Sequence, residues 1–229
     1  MKTFKYIVTL LLFSSLSFNS FGQIIGLKIG VNSFRLKMNS ESREAFTHKT
    51  KQVNLHIGLT AEFKFGNKLS VQPGILFSKK NTRFVETRDP GYEFQSDYTP
   101  TFIEIPVAVK YYFLPEKSKV YVFAGPYIAF GMGGTAKTQE QNRPDPINMP
   151  KTFDLSTLEE YDLWGDDDRL KRLDYGATFG VGIDINNFEI EIFNNIGIPQ
   201  IENGFGRITS AKTQSFGISF SLKFNNQYE

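Results

Sequence analysis

Residues 215–224 read SFGISFSLKF, with Phe216, Ile218, Phe220, Leu222 and Phe224 alternating with Ser215, Gly217, Ser219, Ser221 and Lys223. Alternation at period two marks a β-strand, because successive strand side chains point to opposite faces. Two settings accommodate such a strand. A soluble sandwich turns the phenylalanines onto a core and the serines to water. A membrane barrel turns the phenylalanines to lipid and the small polar residues inward. The rest of the chain decides between them.

The chain opens MKTFKYIVTLLLFSSLSFNSFGQ. Lys2 and Lys5 precede an apolar run from Tyr6 to Phe18, too short to cross a bilayer as a helix. Ser20 and Gly22 stand at −3 and −1 of a cleavage point before Gln23, which is the layout of a secretory signal peptide over residues 1–22. Removing those residues lowers the 26 basic residues by two to 24, matching the 24 acidic ones. A balanced chain gives no electrostatic reason to expect nucleic acid. The absence of cysteine excludes disulfide staples, a thiol nucleophile and a cysteine-linked lipid anchor. Mean hydropathy is −0.28, and no later apolar run reaches the ~20 residues of a membrane helix. Membrane strands escape that test because alternation dilutes their apolar signal.

Eight strand-like segments follow in residues 23–229: 24–34, 53–65, 69–80, 101–113, 120–134, 172–185, 188–198 and the terminal 215–224. The connections at 66–68, 114–118 and 186–187 are short; those at 37–52, 81–98, 135–171 and 199–211 are long and polar. This alternation puts every short turn at one end of the molecule, as in outer-membrane barrels. A Greek-key sandwich has no reason to segregate its loops in this way. The expected fold is therefore an all-β, eight-stranded antiparallel up-and-down transmembrane barrel, with short periplasmic turns and long external loops. Its less apolar faces collect Lys28, Lys64, Lys110 and Lys223 with Glu62, Glu104, Asp174, Asp184, Glu189 and Glu191. In a barrel of eight strands these line an interior just wide enough for side chains, where charges must pair or neutralise. Phe216, Ile218, Phe220, Leu222 and Phe224 then face lipid. Pro73, Pro106 and Pro126 fall inside strand patterns, and a closed barrel has no edge on which to place them, so bulges or inward carbonyl partners are expected.

The segments GLKIGVN (26–32), LSVQPGILFS (69–78), FIEIPVAVKY (102–111), FAGPY (123–127) and DYGATFGVGID (174–184), with the terminal SFGISFSLKF, resemble the outer-membrane β-barrel domain of Bacteroidota, often labelled the porin or PorT family. IEIP followed about twenty residues later by AGPY is the most specific pair. Asn81 departs from the glycine common after the third strand, and the chain runs five residues past Phe224. The resemblance implies an eight-stranded barrel in the outer membrane of a Gram-negative bacterium, exported through a cleaved signal peptide and inserted by the outer-membrane assembly machinery. It implies little about activity, since one fold hosts many roles.

Chemical motifs are scarce. GMGGTAK lacks the spacing of a phosphate loop, and no Gly-x-Ser-x-Gly elbow occurs. GDDDR (165–169) lacks the ligand spacing of a calcium loop. His48 lies in the first long loop and His56 on an inward face; either, beside a loop serine, is the one route to a lipid-modifying enzyme. Ser156 and Glu159 form a capping box, so LSTLEEYDLW (155–164) is expected to make two helical turns. The 135–171 loop carries an excess of acidic residues together with Trp164, the single tryptophan. Glu159, Glu160, Trp164, Asp166, Asp167 and Asp168 are its candidate contacts for an extracellular protein or a carbohydrate. The expected function is a monomeric, non-enzymatic barrel that serves as a binding, adhesion or assembly platform, without cofactor or metal. A small pore and an accessory role in protein secretion are the alternatives.

Overall fold

The computed structural model describes residues 23–40, 46–47, 53–89, 92–113, 118–142, 159–163, 172–198 and 208–225. The expected signal peptide lies outside them, as do His48, Trp164 and Asp166 to Asp168. The described residues form eleven strands: β1 (Gln23–Ser40), β2 (Phe46–Thr47), β3 (Val53–Phe65), β4 (Leu69–Lys79), β5 (Thr82–Asp89), β6 (Tyr92–Tyr112), β7 (Ser118–Asn142), β8 (Glu159–Asp162), β9 (Leu173–Ile185), β10 (Phe188–Gly197) and β11 (Ile208–Asn225). Eight of them close a ring in the order β1-β3-β4-β6-β7-β9-β10-β11, each antiparallel to its neighbours. Closure is made by β1 against β11, from Ile24 opposite Asn225 upward. A closed ring leaves no edge in the membrane, which is what a sheet in lipid requires.

The turns at one end are tight. Gly66, with φ +70°, turns β3 into β4, and Asn186, at φ 55°, turns β9 into β10 across a two-residue loop. Glycine and asparagine are the residues that enter left-handed backbone most readily. The other end carries the long connections, and these are partly sheet. β6 and β7 run 21 and 25 residues, where a barrel strand needs about 9–11 to cross. Their outer halves stay paired, from Tyr92 opposite Asn142 down to the wall. β5 adds to β6, β2 adds to β5, and β8 adds to β7. The expected helix over 155–164 is thus overturned for Glu159–Asp162, which form β8 opposite Thr135–Thr138. The capping box is a local preference, and a ready strand edge outweighs it.

The wall alternates as the sequence implies. On β11, Phe216, Ile218, Phe220, Leu222 and Phe224 are exposed, while Thr213, Ser215, Ser219, Ser221 and Lys223 are buried. Inward glycines make room for rings: a Cβ at Gly182 would lie 2.3 Å from Tyr121, and one at Gly217 2.6 Å from Phe193.

The three prolines need no bulge. Pro73 pairs with Val107 of β6, and the ladder to β3 lapses opposite Gln72 and Pro73 before resuming in the same register. Pro106 pairs with Tyr127 while the ladder to β4 lapses at Ile105 and Pro106. Pro126 pairs with Ala177 while the ladder to β6 lapses at Gly125 and Pro126. Each missing donor is absorbed as a local gap on one side of the strand, with pairing kept on the other.

The sidedness is testable at Phe220, which is paired to Ile29 and Ile190 midway along the wall. Phe220→Arg should cost about 2–4 kcal/mol in urea unfolding from lipid vesicles, and Phe220→Leu should be nearly neutral. Equal stability of the two variants would contradict a lipid-facing position.

Candidate functional site

The lumen is filled by a lattice of ion pairs near the short turns. Alternation on β6, β10, β11, β1 and β3 brings Lys110, Glu189, Glu191, Lys223, Lys28 and Glu62 to one level. Lys110 Nζ lies 2.6 Å from Glu189 Oε2 and 3.3 Å from Glu191 Oε1. Lys223 Nζ bonds Asp184 and lies 3.2 Å from both Glu62 Oε2 and Glu189 Oε2. Lys28 Nζ bonds Glu191 and donates to Gln72 Oε1 at 3.3 Å. The remaining lone pairs are taken by tyrosines: Tyr112 Oη donates to Glu62 Oε1 at 2.6 Å, and Tyr121 Oη to Glu191 Oε1 at 3.0 Å. Lys110 also sits over the Tyr121 ring, 4.5 Å from its centroid. Buried charges are tolerated when paired and hydrogen-bonded in this way. Lys64, the tenth charge expected inside, is half-buried beside the turn.

Glu62, Asp184 and Glu189 bring ligand atoms within 4.8 Å of one another, a spacing that suits a metal ion. The Lys223 ammonium already stands against all three carboxylates. It supplies the positive charge that an ion would supply.

Toward the external end a second layer is built around Lys80, which follows β4. Its Nζ lies 2.8 Å from Glu104 Oε1 and 3.6 Å from Asp174 Oδ2, and 4.8 Å from the centroid of the Phe102 ring. The rings of Phe34 and Tyr127 flank it within cation–π range. Thr213 Oγ1 and Tyr127 Oη donate to Asp174. Above this layer Leu163, at the end of β8, packs fully buried against Phe102, Tyr127 and Ala129, with Tyr98 beside them. Its N–H donates to Gly134 O at 3.0 Å. The 135–171 connection therefore returns an apolar plug to the barrel mouth. Lys80 is absent from the charges singled out by sequence, although the parity of Ser70, Gln72 and Ser78 places it inward. Gln72, Tyr112, Tyr121, Tyr127 and Thr213 are likewise recognisable only once their ionic partners are in place.

His56 is buried between the two layers. Asn32 Nδ2 donates to its Nδ1 at 3.4 Å, and its Nε2 meets Ser219 Oγ at 2.9 Å. With Nδ1 accepting, the proton is on Nε2, which donates to the serine and cannot also take its proton. The partner is a strand serine inside the barrel, not a loop serine at the rim. This arrangement positions a side chain and does not activate a nucleophile.

Outside the wall, Arg83 of β5 makes a two-pronged contact with Asp97 of β6, and the Asp97 hydrogen bonds push the guanidinium above its ordinary value. Directly opposed charges tie the two strands together. Glu159 and Glu160 lie on β8, opposite Thr138 and Lys137.

The sequence profile described as outer membrane protein beta-barrel domain matches residues 19–202. No curated protein matches the chain. Among solved structures, Ail of Yersinia pestis in complex with the heparin analogue sucrose octasulfate is 14% identical, with 88% of this chain and 99% of that chain covered and a TM-score of 0.41. OprG of Pseudomonas aeruginosa is 13% identical over 89% and 96%, also at 0.41. AlkL in lipid bilayers is 11% identical over 91% and 92%, again at 0.41.

Lys110→Met removes the cation between Glu189 and Glu191 and should destabilise the barrel by about 3–5 kcal/mol in urea unfolding from vesicles. Adding Glu189→Gln to that variant should recover part of the loss. A single variant as stable as the parent would show that the lattice does not hold the lumen together.

Proposed function

The chain belongs to the outer membrane protein beta-barrel domain family, and from that premise we propose that it is a non-enzymatic binding platform whose external sheet engages a cationic partner. One observation carries this reading. The lumen is packed with ion pairs and plugged by Leu163, while β6 and β7 continue past the membrane as a sheet with β2, β5 and β8. Material withheld from the interior is spent on an outer surface. Loops of this size are uncommon unless they do work of their own. The connection that includes β8 is rich in acids, among them Glu140, Asp145, Asp154, Asp166, Asp167 and Asp168, which suits steering toward a basic surface. Export through residues 1–22 and insertion as a monomer belong to the same proposal.

A pore is disfavoured by the same observation. Purified protein in planar bilayers should show no stable porin-sized conductance, because an eight-stranded barrel filled by side chains holds no aqueous channel. Reproducible large steps would overturn that and promote transport.

The platform itself is tested with protein reconstituted in vesicles and a basic probe protein such as polylysine. In one variant a short Gly/Ser linker replaces residues 139–158, and Asp166, Asp167 and Asp168 become Asn; Leu163 and β8 are kept. The variant should retain the heat-dependent gel shift of a folded barrel while probe affinity falls about tenfold at low salt. Unchanged affinity in a folded variant would remove the support for the acidic surface.

A further inference from the structure

Between the two ionic layers lies a cavity of about 50 Å³, room for about three waters. Asn32, His56, Glu104, Asn195, Thr60 and Ser219 are on its wall, together with Lys28 and its ion-pair partner Glu191. Asn32 Oδ1 and Asn195 Oδ1 are buried and have no hydrogen-bond partner. Asn32 is 6% exposed, and its amide nitrogen is already committed to His56 Nδ1, so the orphaned atom is a carbonyl acceptor. A buried acceptor left in this state is costly, and the occupant that relieves it must donate a hydrogen bond or carry positive charge.

The charge distribution selects the second. Near the short turns, Lys28, Lys110, Lys223 and the half-buried Lys64 face Glu62, Asp184, Glu189 and Glu191, a balanced set. Above the cavity, the single charge of Lys80 is shared between Glu104 and Asp174. Among the described buried residues, the surplus negative charge thus falls on the side where Glu104 meets the cavity. The oxygens the cavity offers are those of the Glu104 carboxylate, two amide carbonyls and hydroxyls, the set that a hard cation prefers. Both nitrogens of His56 are engaged, which leaves none for a softer metal. The two carboxylates on the wall, Glu104 and Glu191, are each already paired with a lysine, which leaves too little charge for a divalent ion.

We propose that this cavity binds one monovalent alkali cation, sodium or potassium, held by Glu104, Asn32 Oδ1 and Asn195 Oδ1, which completes the charge balance of the upper layer. Binding there locks the layer beneath the Leu163 plug and stands apart from the external surface proposed above.

The test is thermal unfolding of the full chain refolded in neutral lipid vesicles, in NaCl, KCl or N-methylglucamine chloride at equal ionic strength. The organic cation is too large for the cavity. The melting temperature should be higher in at least one alkali salt than in N-methylglucamine chloride, and Glu104→Gln and Asn195→Leu should each abolish the difference. Thallium(I) NMR of the unmodified protein should show a slowly exchanging bound ion, a result independent of whether the variants fold. Equal melting temperatures in all three salts would overturn the proposal and leave water as the occupant. So would a doubly protonated His56 at pH 7 in nitrogen NMR without bound thallium, since the proton would then supply the missing charge.

Discussion

The ion pair between Lys110 and Glu189, 2.6 Å long with both side chains fully buried, is the contact on which the rest of the structure depends. Eight strands enclose a lumen only as wide as its side chains, and period-two alternation delivers charges into it in two layers. Those charges cannot remain unpaired in a low-dielectric interior. They form instead a lattice in which each ammonium serves two or three carboxylates and tyrosine hydroxyls take what is left. Because the lattice is inside, the apolar stripe is outside, and the protein requires a membrane.

From this follows the division of labour along the barrel axis. The end with tight turns is occupied by the lattice. The middle holds His56 and the small polar cavity. The far end is closed by Lys80 in its cage of rings and by Leu163 above it. Beyond the mouth, β6 and β7 no longer enclose anything and run on as a sheet in water. Among the described residues, that sheet is the part that stands beyond the barrel.

Much of this was legible in the sequence, for identifiable reasons. Strands that face lipid on one side and charge on the other give a strong alternation, and β3 begins and ends where the pattern does, at Val53 and Phe65. Segregation of short and long connections revealed the up-and-down barrel. The strands outside the membrane were illegible because neither of their faces needs to be apolar: Thr82–Asp89 reads simply as a polar loop. Ser156 and Glu159 pointed to a helix, but Glu159–Asp162 had the edge of β7 beside it. The prolines looked incompatible with a closed ring because a gap in one ladder, with register kept, leaves no trace in composition. Lys80 could have been placed inward by parity alone. Its partners Glu104 and Asp174 come from β6, the neighbouring strand, and from β9, far along the chain, so its pairing could not.

The absence of cysteine from the chain makes the central claim, a lumen filled and dry at the level of the lattice, directly measurable by single-cysteine accessibility. Ser221 is 3% exposed and donates to Glu189 at 3.4 Å, so Ser221→Cys reports from inside the lattice with little change in size. In folded vesicle-reconstituted protein, this thiol should resist a charged, membrane-impermeant methanethiosulfonate from either side and react fully after unfolding. Rapid modification in the folded state would mean that water reaches the lattice, and the account of a closed, charge-packed barrel would be wrong.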